Sequence, residues 1–366
     1  MAPYDVIVVG AGPAGSNAAR AAAVGGARTL LLDRRPELGF PVQCGEFLPT
    51  LPELLDLFEV GDIAAEAYRI PPETVRSTTH WMTCVAPSGR RYRFPLEGQT
   101  VSRHAFDARL AREAEAAGAE LRHPVGVVRA RAGEVTTATG ERIEGRVVIG
   151  ADGPLSAVAR GAEFAPARTM FRMITATSHG GPPDDIELYF GRYAPGGYAW
   201  SFPKGATANI GLGVTRLRPG ESLSGLLDAF ARSADLAEPV DRTRWWVPIG
   251  PPPVSLVRGT ALFAGDAANL IMATNGGGIP TALLSGWDAG SVAAGHVREG
   301  IPLAEYDRRW RAHLYGPLAR AYRIYRFSSR LAGHDRLLSA GMGYIGPHGL
   351  DAMMRLRWPR RLGGPG

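Results

Sequence analysis

The sequence predicts a fold that is α/β in its first unit and α+β overall: a parallel, Rossmann-like unit interleaved with an antiparallel-sheet unit and followed by a C-terminal helical segment. Three observations predict it. A β-branched run at Tyr4–Val9 passes through a glycine turn into an Ala-rich stretch, the pattern of a strand feeding a helix. Short apolar runs ending in Asp-Gly (152–153) and Gly-Asp (265–266) return to that pattern far downstream. The intervening segments are β-patterned and punctuated by Gly and Pro turns. At 366 residues the chain exceeds what one small core needs, so one large or two fused units are expected.

The first element is a buried strand, because YDVIVV is almost uninterruptedly apolar. Gly10-Ala11-Gly12-Pro13-Ala14-Gly15 follows, then Ala-rich sequence suited to a helix to about Val24, a strand over 29–32, and Asp33. Strand, GxGxxG, helix, strand and acid in this order form a dinucleotide-binding fingerprint. Gly10 permits the tight turn, Gly12 lets backbone approach a pyrophosphate, and Gly15 lets the helix pack on the strand. The helix start offers unpaired N–H groups to the diphosphate, and Asp33 can accept from ribose hydroxyls. A plain glycine turn between packed elements would account for the glycines alone, but not for the whole order.

This fingerprint does not separate FAD from NAD. The later elements do. Residues 131–140 and 147–150 read as further strands, the second ending at Asp152-Gly153. Residues 260–266 form a short strand ending in Gly265-Asp266, then Asn275-Gly276-Gly277-Gly278-Ile279 opens a helix over 280–297. A Gly-Asp pair suits the ribityl and pyrophosphate part of an extended dinucleotide, and the glycine run lets backbone N–H groups approach a flavin. The expected cofactor is FAD. Its contacts are expected from Gly10, Gly12, Pro13, Ala14, Gly15, Asp33, Arg34, Val125, Asp152, Gly265, Asp266, Gly277, Gly278 and Ile279.

Composition narrows the alternatives. Two Cys cannot make a disulfide framework or a four-thiolate metal site, and none of the 8 His has metal-ligand spacing, so no metal is expected. No apolar run reaches the length of a membrane span. The start enters a strand at once and carries no basic leader, so a cytoplasmic setting is the expectation. The net charge is +6, and Lys204 is the sole lysine in an arginine-rich chain. Without a nucleic-acid motif, no nucleic-acid partner is expected. The C-terminal arginines, Arg320 to Arg330 and Arg355 to Arg361, read first as a solvated face and tail. With Trp358 they leave open a peripheral contact with the inner face of a membrane. No G-x-S-x-G elbow or Walker A sequence is present, which disfavours a hydrolase or a P-loop enzyme.

GxGxxG, a central Asp-Gly and a late Gly-Asp occur in the order that resembles the FAD-dependent oxidoreductases of the p-hydroxybenzoate hydroxylase-like superfamily. Three stretches narrow the resemblance to the geranylgeranyl reductase family. They are Pro41-Val42-Gln43-Cys44-Gly45-Glu46, the PxxYxWxFP motif from Pro195 through Tyr198, Trp200 and Phe202 to Pro203, and Ala267-Ala268-Asn269 followed by the triple glycine. Arg103 stands where the family has an arginine at the flavin, and Cys44 and Gly45 lie in its flavin-side loop. Two positions depart from the family pattern: Phe47 replaces a glycine, and Met272-Ala273 replaces Asp-Pro.

The resemblance implies reduction of C=C bonds in a geranylgeranyl-type prenyl chain, by hydride from flavin N5 and a proton from the Cys44 thiol, Tyr198 or water. It implies Cys44, Tyr198 and Trp200 as catalytic residues, and Glu46, Tyr198, Trp200, Phe202 and Pro203 as substrate-binding residues. Tyr198, Trp200 and Phe202 alternate along one strand and would share a face as an aromatic wall. The plainer reading of that face is sheet packing, and of Cys44 a small buried residue. A Cys44–Cys84 disulfide is disfavoured in a reducing compartment. No second GxGxxG marks a reductant domain, so the electrons must come from outside: NAD(P)H, a reduced ferredoxin docking transiently, or a free reduced flavin. A flavin monooxygenase or halogenase-like enzyme, and a flavoprotein acting on a partner protein, are the competing readings.

Residues 1–80, 100–165 and 255–300 are assigned to the discontinuous FAD-binding unit, 81–99 and 166–254 to the substrate unit, and 301–366 to a C-terminal helix and basic tail. Tyr306, Trp310, Leu314, Leu318, Tyr322 and Tyr325 recur at roughly helical spacing and are expected to be core. Residues beyond about 333 are rich in Gly and Pro and are expected to be loosely structured.

Overall fold

The computed structural model describes residues 3–131 and 133–363. Tyr4–Val9 forms the centre of a parallel sheet, flanked by Thr29–Leu32 on one side and Arg142–Gly150 on the other. Ala261–Phe263 and Glu120–Arg122 extend it, both parallel. Its central strands are buried on both faces, as their β-branched runs require. The register aligns the strand ends: Val9 pairs with both Leu32 and Gly150, and Gly150 pairs with Phe263. Four loops therefore leave one edge together, carrying Gly10, Asp33, Asp152 and Asp266. Ligands of open parallel sheets bind at this carboxyl edge.

The helix Pro13–Val24 begins immediately after Gly12, with Pro13 at its start, where a missing N–H costs nothing. It lies along the long helix Ile279–Glu299, and the two touch closely because Gly286 and Gly290 face Ala14 and Ala18. A Cβ on Gly290 would stand 2.1 Å from the Ala18 carbonyl oxygen. Residues 280–297, expected to be helical, lie within this helix.

The second sheet has eight strands, in the order Val240–Ile249, Thr169–Ser178, Thr207–Val214, Tyr198–Lys204, Ile186–Phe190, Val75–Val85, Arg91–Val101 and Phe47–Pro49. All neighbours are antiparallel except Ile186–Phe190 with Val75–Val85. The expected boundaries at 80/81 and 99/100 fall inside strands, and Phe47–Pro49 also belongs to this sheet rather than to the first. Pro248 lies within the strand Val240–Ile249, paired with Met170 at the sheet edge, where a proline is tolerated. The expected strand over 131–140 is instead a hairpin, Val127–Arg131 with Glu134–Thr137, turning at Gly133.

After the long helix, Ala304–Trp310 and Gly316–Ser328 run through a π-helical turn at Arg311–Tyr315. Tyr306, Trp310, Leu314 and Leu318 are core, whereas Tyr322 and Tyr325, also expected there, are only half-buried and pack against the second sheet's cluster. The loose segment expected beyond residue 333 is corrected: Asp335–Met354 is helical, with a kink at Gly346 and Pro347. Met342, Leu350 and Met354 are buried against the second sheet, and that burial outweighs the weak helix propensity of its glycines. No helix among the described residues is long and apolar enough to cross a membrane.

Candidate active site

A cavity of about 740 Å³ lies between the carboxyl edge of the parallel sheet and one face of the second sheet. On the first side it is lined by Gly10, Gly12, Pro13, Ala14, Asp33, Arg34, Val125, Asp152, Asp266, Gly277, Gly278 and Ile279. Gly10 has φ +99, a conformation that demands glycine. Gly15 and Gly265 are not in the wall. Gly15 packs the helix on the turn, where a Cβ would stand 1.7 Å from the Gly10 oxygen, and Gly265 donates its N–H to Ser285.

Asp33 is 4% exposed and braces the glycine turn: one carboxylate oxygen accepts from the Ala11 N–H at 2.7 Å, and both accept from the Arg35 guanidinium. Burial works against its charge, but the Arg35 bonds outweigh it and hold the carboxyl below the usual range. Asp152 presents a buried carboxylate oxygen with no partner in the chain, while its other oxygen caps the Ala157 N–H. Burial lifts Asp266 to about 6, against the pull of Arg103 and Arg168. A glycine turn at a helix start, an orphaned carboxylate oxygen and a glycine run in one wall fit an extended dinucleotide such as FAD. Among the described residues no cluster of three metal-ligating side chains occurs.

The opposite wall is aromatic. Tyr198, Trp200 and Phe202 line it, with successive ring centroids 6.2 Å apart. The Tyr198 hydroxyl donates to the Asn275 carbonyl, tying the wall to the glycine run. Pro203 does not line the cavity: it lies in the sheet, and its carbonyl accepts from the Thr100 hydroxyl at 2.5 Å. Phe47 does line it, its ring against Phe202 and over Gly98.

The loop of Cys44, Gly45 and Glu46 enters between the walls. Gly45 allows this, since a Cβ there would stand 2.8 Å from the Phe202 ring. Cys44 and Cys84 are both free thiols. Burial pushes the Cys44 thiol up, and the nearby Arg103 opposes the shift. Arg103 makes a two-pronged ion pair with Asp107 at 2.8 and 2.9 Å. Burial also pushes the Tyr198 phenol up. Glu46 is fully buried with φ +68, and is held by the Arg103 backbone N–H (2.9 Å), Lys204 (2.5 Å) and Asn209 (2.7 Å). Asn209 is a site residue that the sequence did not reveal. Its side chain acts through cross-strand partners, and no motif spacing marks it.

A parallel-sheet dinucleotide edge facing an aromatic-walled cavity defines an FAD-dependent oxidoreductase. Residues 5–40 match the FAD dependent oxidoreductase family, and residues 168–242 match the geranylgeranyl reductase catalytic domain. The chain belongs to the geranylgeranyl reductase family, whose members reduce C=C bonds with FAD. It is 33% identical over 87% of its length to digeranylgeranylglycerophospholipid reductase 1 of Methanothermobacter thermautotrophicus, covering 85% of that protein. It is 33% identical over 85% of its length to digeranylgeranylglycerophospholipid reductase of Methanocaldococcus jannaschii, covering 83% of that protein. A geranylgeranyl bacteriochlorophyll reductase-like structure from Thermoplasma acidophilum superposes with TM-score 0.82 at 25% identity, over 97% of this chain and 95% of that one. A flavin-dependent brominase superposes with TM-score 0.71 at 17% identity, covering 96% of this chain and 92% of that one, a likeness of fold alone.

Proposed function

We propose that this reductase acts on the prenyl chains of a digeranylgeranylglycerophospholipid-type lipid, with the chain lying along the Tyr198–Trp200–Phe202 wall. The observation that carries this reading is the pairing, in one cavity, of a continuous aromatic wall with the free, half-buried thiol of Cys44. The curated relatives' names support the lipid class. An isolated alkene is a poor hydride acceptor, so a proton donor at the second carbon lowers the barrier. Held in that cavity in its reduced form, FAD would supply a hydride. The chain's residues do the rest. Cys44 gives its thiol proton to that second carbon and regains one from solvent, Tyr198 and Trp200 hold the alkene against the loop, and the apolar wall excludes water. Gly10, Gly12, the start of the first helix, Asp152 and Asp266 hold the cofactor.

The test is anaerobic. FAD-loaded enzyme is reduced with dithionite, freed of excess reductant and mixed with the unsaturated lipid. The expected result is flavin reoxidation without oxygen and a product that gains one H₂ per double bond. Reoxidation only on admitting oxygen, with an oxygen atom in the product, would assign a monooxygenase instead.

A further inference from the structure

Asn209 sits behind the aromatic wall, 5% exposed, on the strand Thr207–Val214. It does not line the cavity. Its amide has two N–H donors and a carbonyl oxygen with two lone pairs. One N–H goes to the Cys44 carbonyl at 2.9 Å and the other to the Glu46 carboxylate at 2.7 Å. The carbonyl oxygen accepts from the Trp200 indole N–H at 2.8 Å and lies 2.9 Å from the Thr175 hydroxyl. No polar position of the amide is left free. The amide has one usable orientation, since a flip would set its NH₂ against the indole N–H and its oxygen against two acceptors.

We propose that Asn209 is the positioning residue of the active site, a hub that fixes the proton-donating loop and the substrate wall relative to each other. Cys44 belongs to a loop leaving the parallel sheet, and Trp200 belongs to the second sheet. This buried amide joins the backbone of one to the indole of the other, and Lys204 and the Val101 N–H tie Glu46 of the same loop to the second sheet as well. Lys204 completes the hub. It meets the same Glu46 carboxylate oxygen, at 2.5 Å, and neutralises a charge that is otherwise fully buried. Glu46 in turn holds Cys44: its backbone N–H donates to the Cys44 sulfur at 3.1 Å from a left-handed conformation that costs a non-glycine residue energy. The chemistry needs the thiol and the alkene carbon within about an ångström of their productive separation, and errors of that size cost about a hundredfold in rate.

This inference rests on the prenyl-reductase reading for Cys44, so its test has a readout that needs no substrate. Cys84 is fully buried, so N-ethylmaleimide reports on Cys44, with the labelled peptide identified by mass spectrometry. Asn209→Leu keeps the branched shape of the side chain and removes every one of its hydrogen bonds. In FAD-loaded protein, Cys44 labelling should rise on the order of tenfold. Anaerobic single-turnover flavin reoxidation by the lipid should fall about a hundredfold, with FAD content retained. Asn209→Ser, which admits water, should fall between the leucine variant and wild type in both measurements. Labelling and turnover within about twofold of wild type in both variants would overturn the proposal. Loss of FAD and of folding in both would also overturn it, by assigning Asn209 to the fold. Altered labelling in the variants, combined with wild-type enzyme that does not reduce the lipid, would keep the hub and sink the substrate reading instead.

Discussion

Burial pushes both the Cys44 thiol and the Tyr198 phenol above their ordinary values, so both face the cavity protonated at neutral pH. Tyr198 is already committed as a donor to the Asn275 carbonyl, which favours Cys44 over Tyr198 as the proposed proton donor. Cys44→Ala should retain FAD and lose roughly 10²- to 10⁴-fold in single-turnover reoxidation, the span of general acid catalysis. Unchanged turnover in stopped flow would reduce Cys44 to packing. The pH profile follows with a definite sign. The acid form is the active one, and its pKa is raised, so the rate should stay flat through the ordinary thiol pKa of about 8.5 and fall only above it. Cys44→Ser should lose that alkaline limb, because a serine hydroxyl does not ionise in this range. A limb that persists in the serine variant would belong to another group. Asp33 is the residue to test on the cofactor side. Asp33→Ala removes the partner of the Ala11 N–H and frees Arg35, and leaving such a buried donor unpaired costs about 1–3 kcal/mol. FAD titration should therefore show affinity weaker by about tenfold to a hundredfold.

The pair of helices Pro13–Val24 and Ile279–Glu299 carries the cofactor wall, and glycines set their distance. Gly290→Ala would drive a methyl to within 2.1 Å of the Ala18 carbonyl, so the helices must separate. Overpacking of this kind costs about 1–3 kcal/mol, and because the first helix starts at the glycine turn, the FAD content of purified protein should fall together with its melting temperature. A wild-type melting temperature and full FAD content would show that the helices have room to give. Elements of this sort were legible in the sequence because their signals are local: an apolar run, a glycine turn and an acid follow one another within Tyr4–Asp33. The aromatic wall was legible for the same reason, since alternation along one strand sets Tyr198, Trp200 and Phe202 on one face. What escaped depends on pairing between distant segments. The joining of Ile186–Phe190 to Val75–Val85, and of Phe47–Pro49 to Arg91–Val101, has no local signal, so boundaries drawn at 80 and 99 cut through strands. The helix Asp335–Met354 escaped because Gly341, Gly343, Gly346 and Pro347 argue against it locally, whereas burial of Met342, Leu350 and Met354 decides it globally. Asn209 escaped because its four contacts come from three separate segments: two strands and the loop that carries Cys44 and Glu46.

Across the whole molecule, the segment after the long helix does two jobs from opposite ends. Its last helix meets the cavity at Met354 and Arg355, and Arg355 is held there by Glu53, Asp351 and Asp56, which pins the helix Leu51–Leu57 against it. Its first part is tied to the cofactor side by His313, whose Nδ1 lies 2.7 Å from the fully buried Asp288 on Ile279–Glu299. The hydrogen bond to Asp288 raises the His313 pKa against the opposing effect of burial; Asp62, 3.5 Å from its other nitrogen, adds to the rise, and Arg309 works against it. Burial raises Asp288 as well, with His313 and Arg309 opposing. Both groups therefore bind protons more tightly in the folded chain than in the unfolded one, and folding gains stability on the acid side. For His313 that gain is complete below the unfolded value of about 6.5 and is lost as pH rises through the elevated folded value. The melting temperature of the FAD-loaded protein should accordingly decline as pH is raised from about 6 to above the folded His313 value. His313→Gln can still donate to Asp288 but cannot titrate, so its melting temperature should vary less over the same window. Equal slopes for the two proteins would show that the link between the cofactor helix and the cavity-closing segment does not run through this proton.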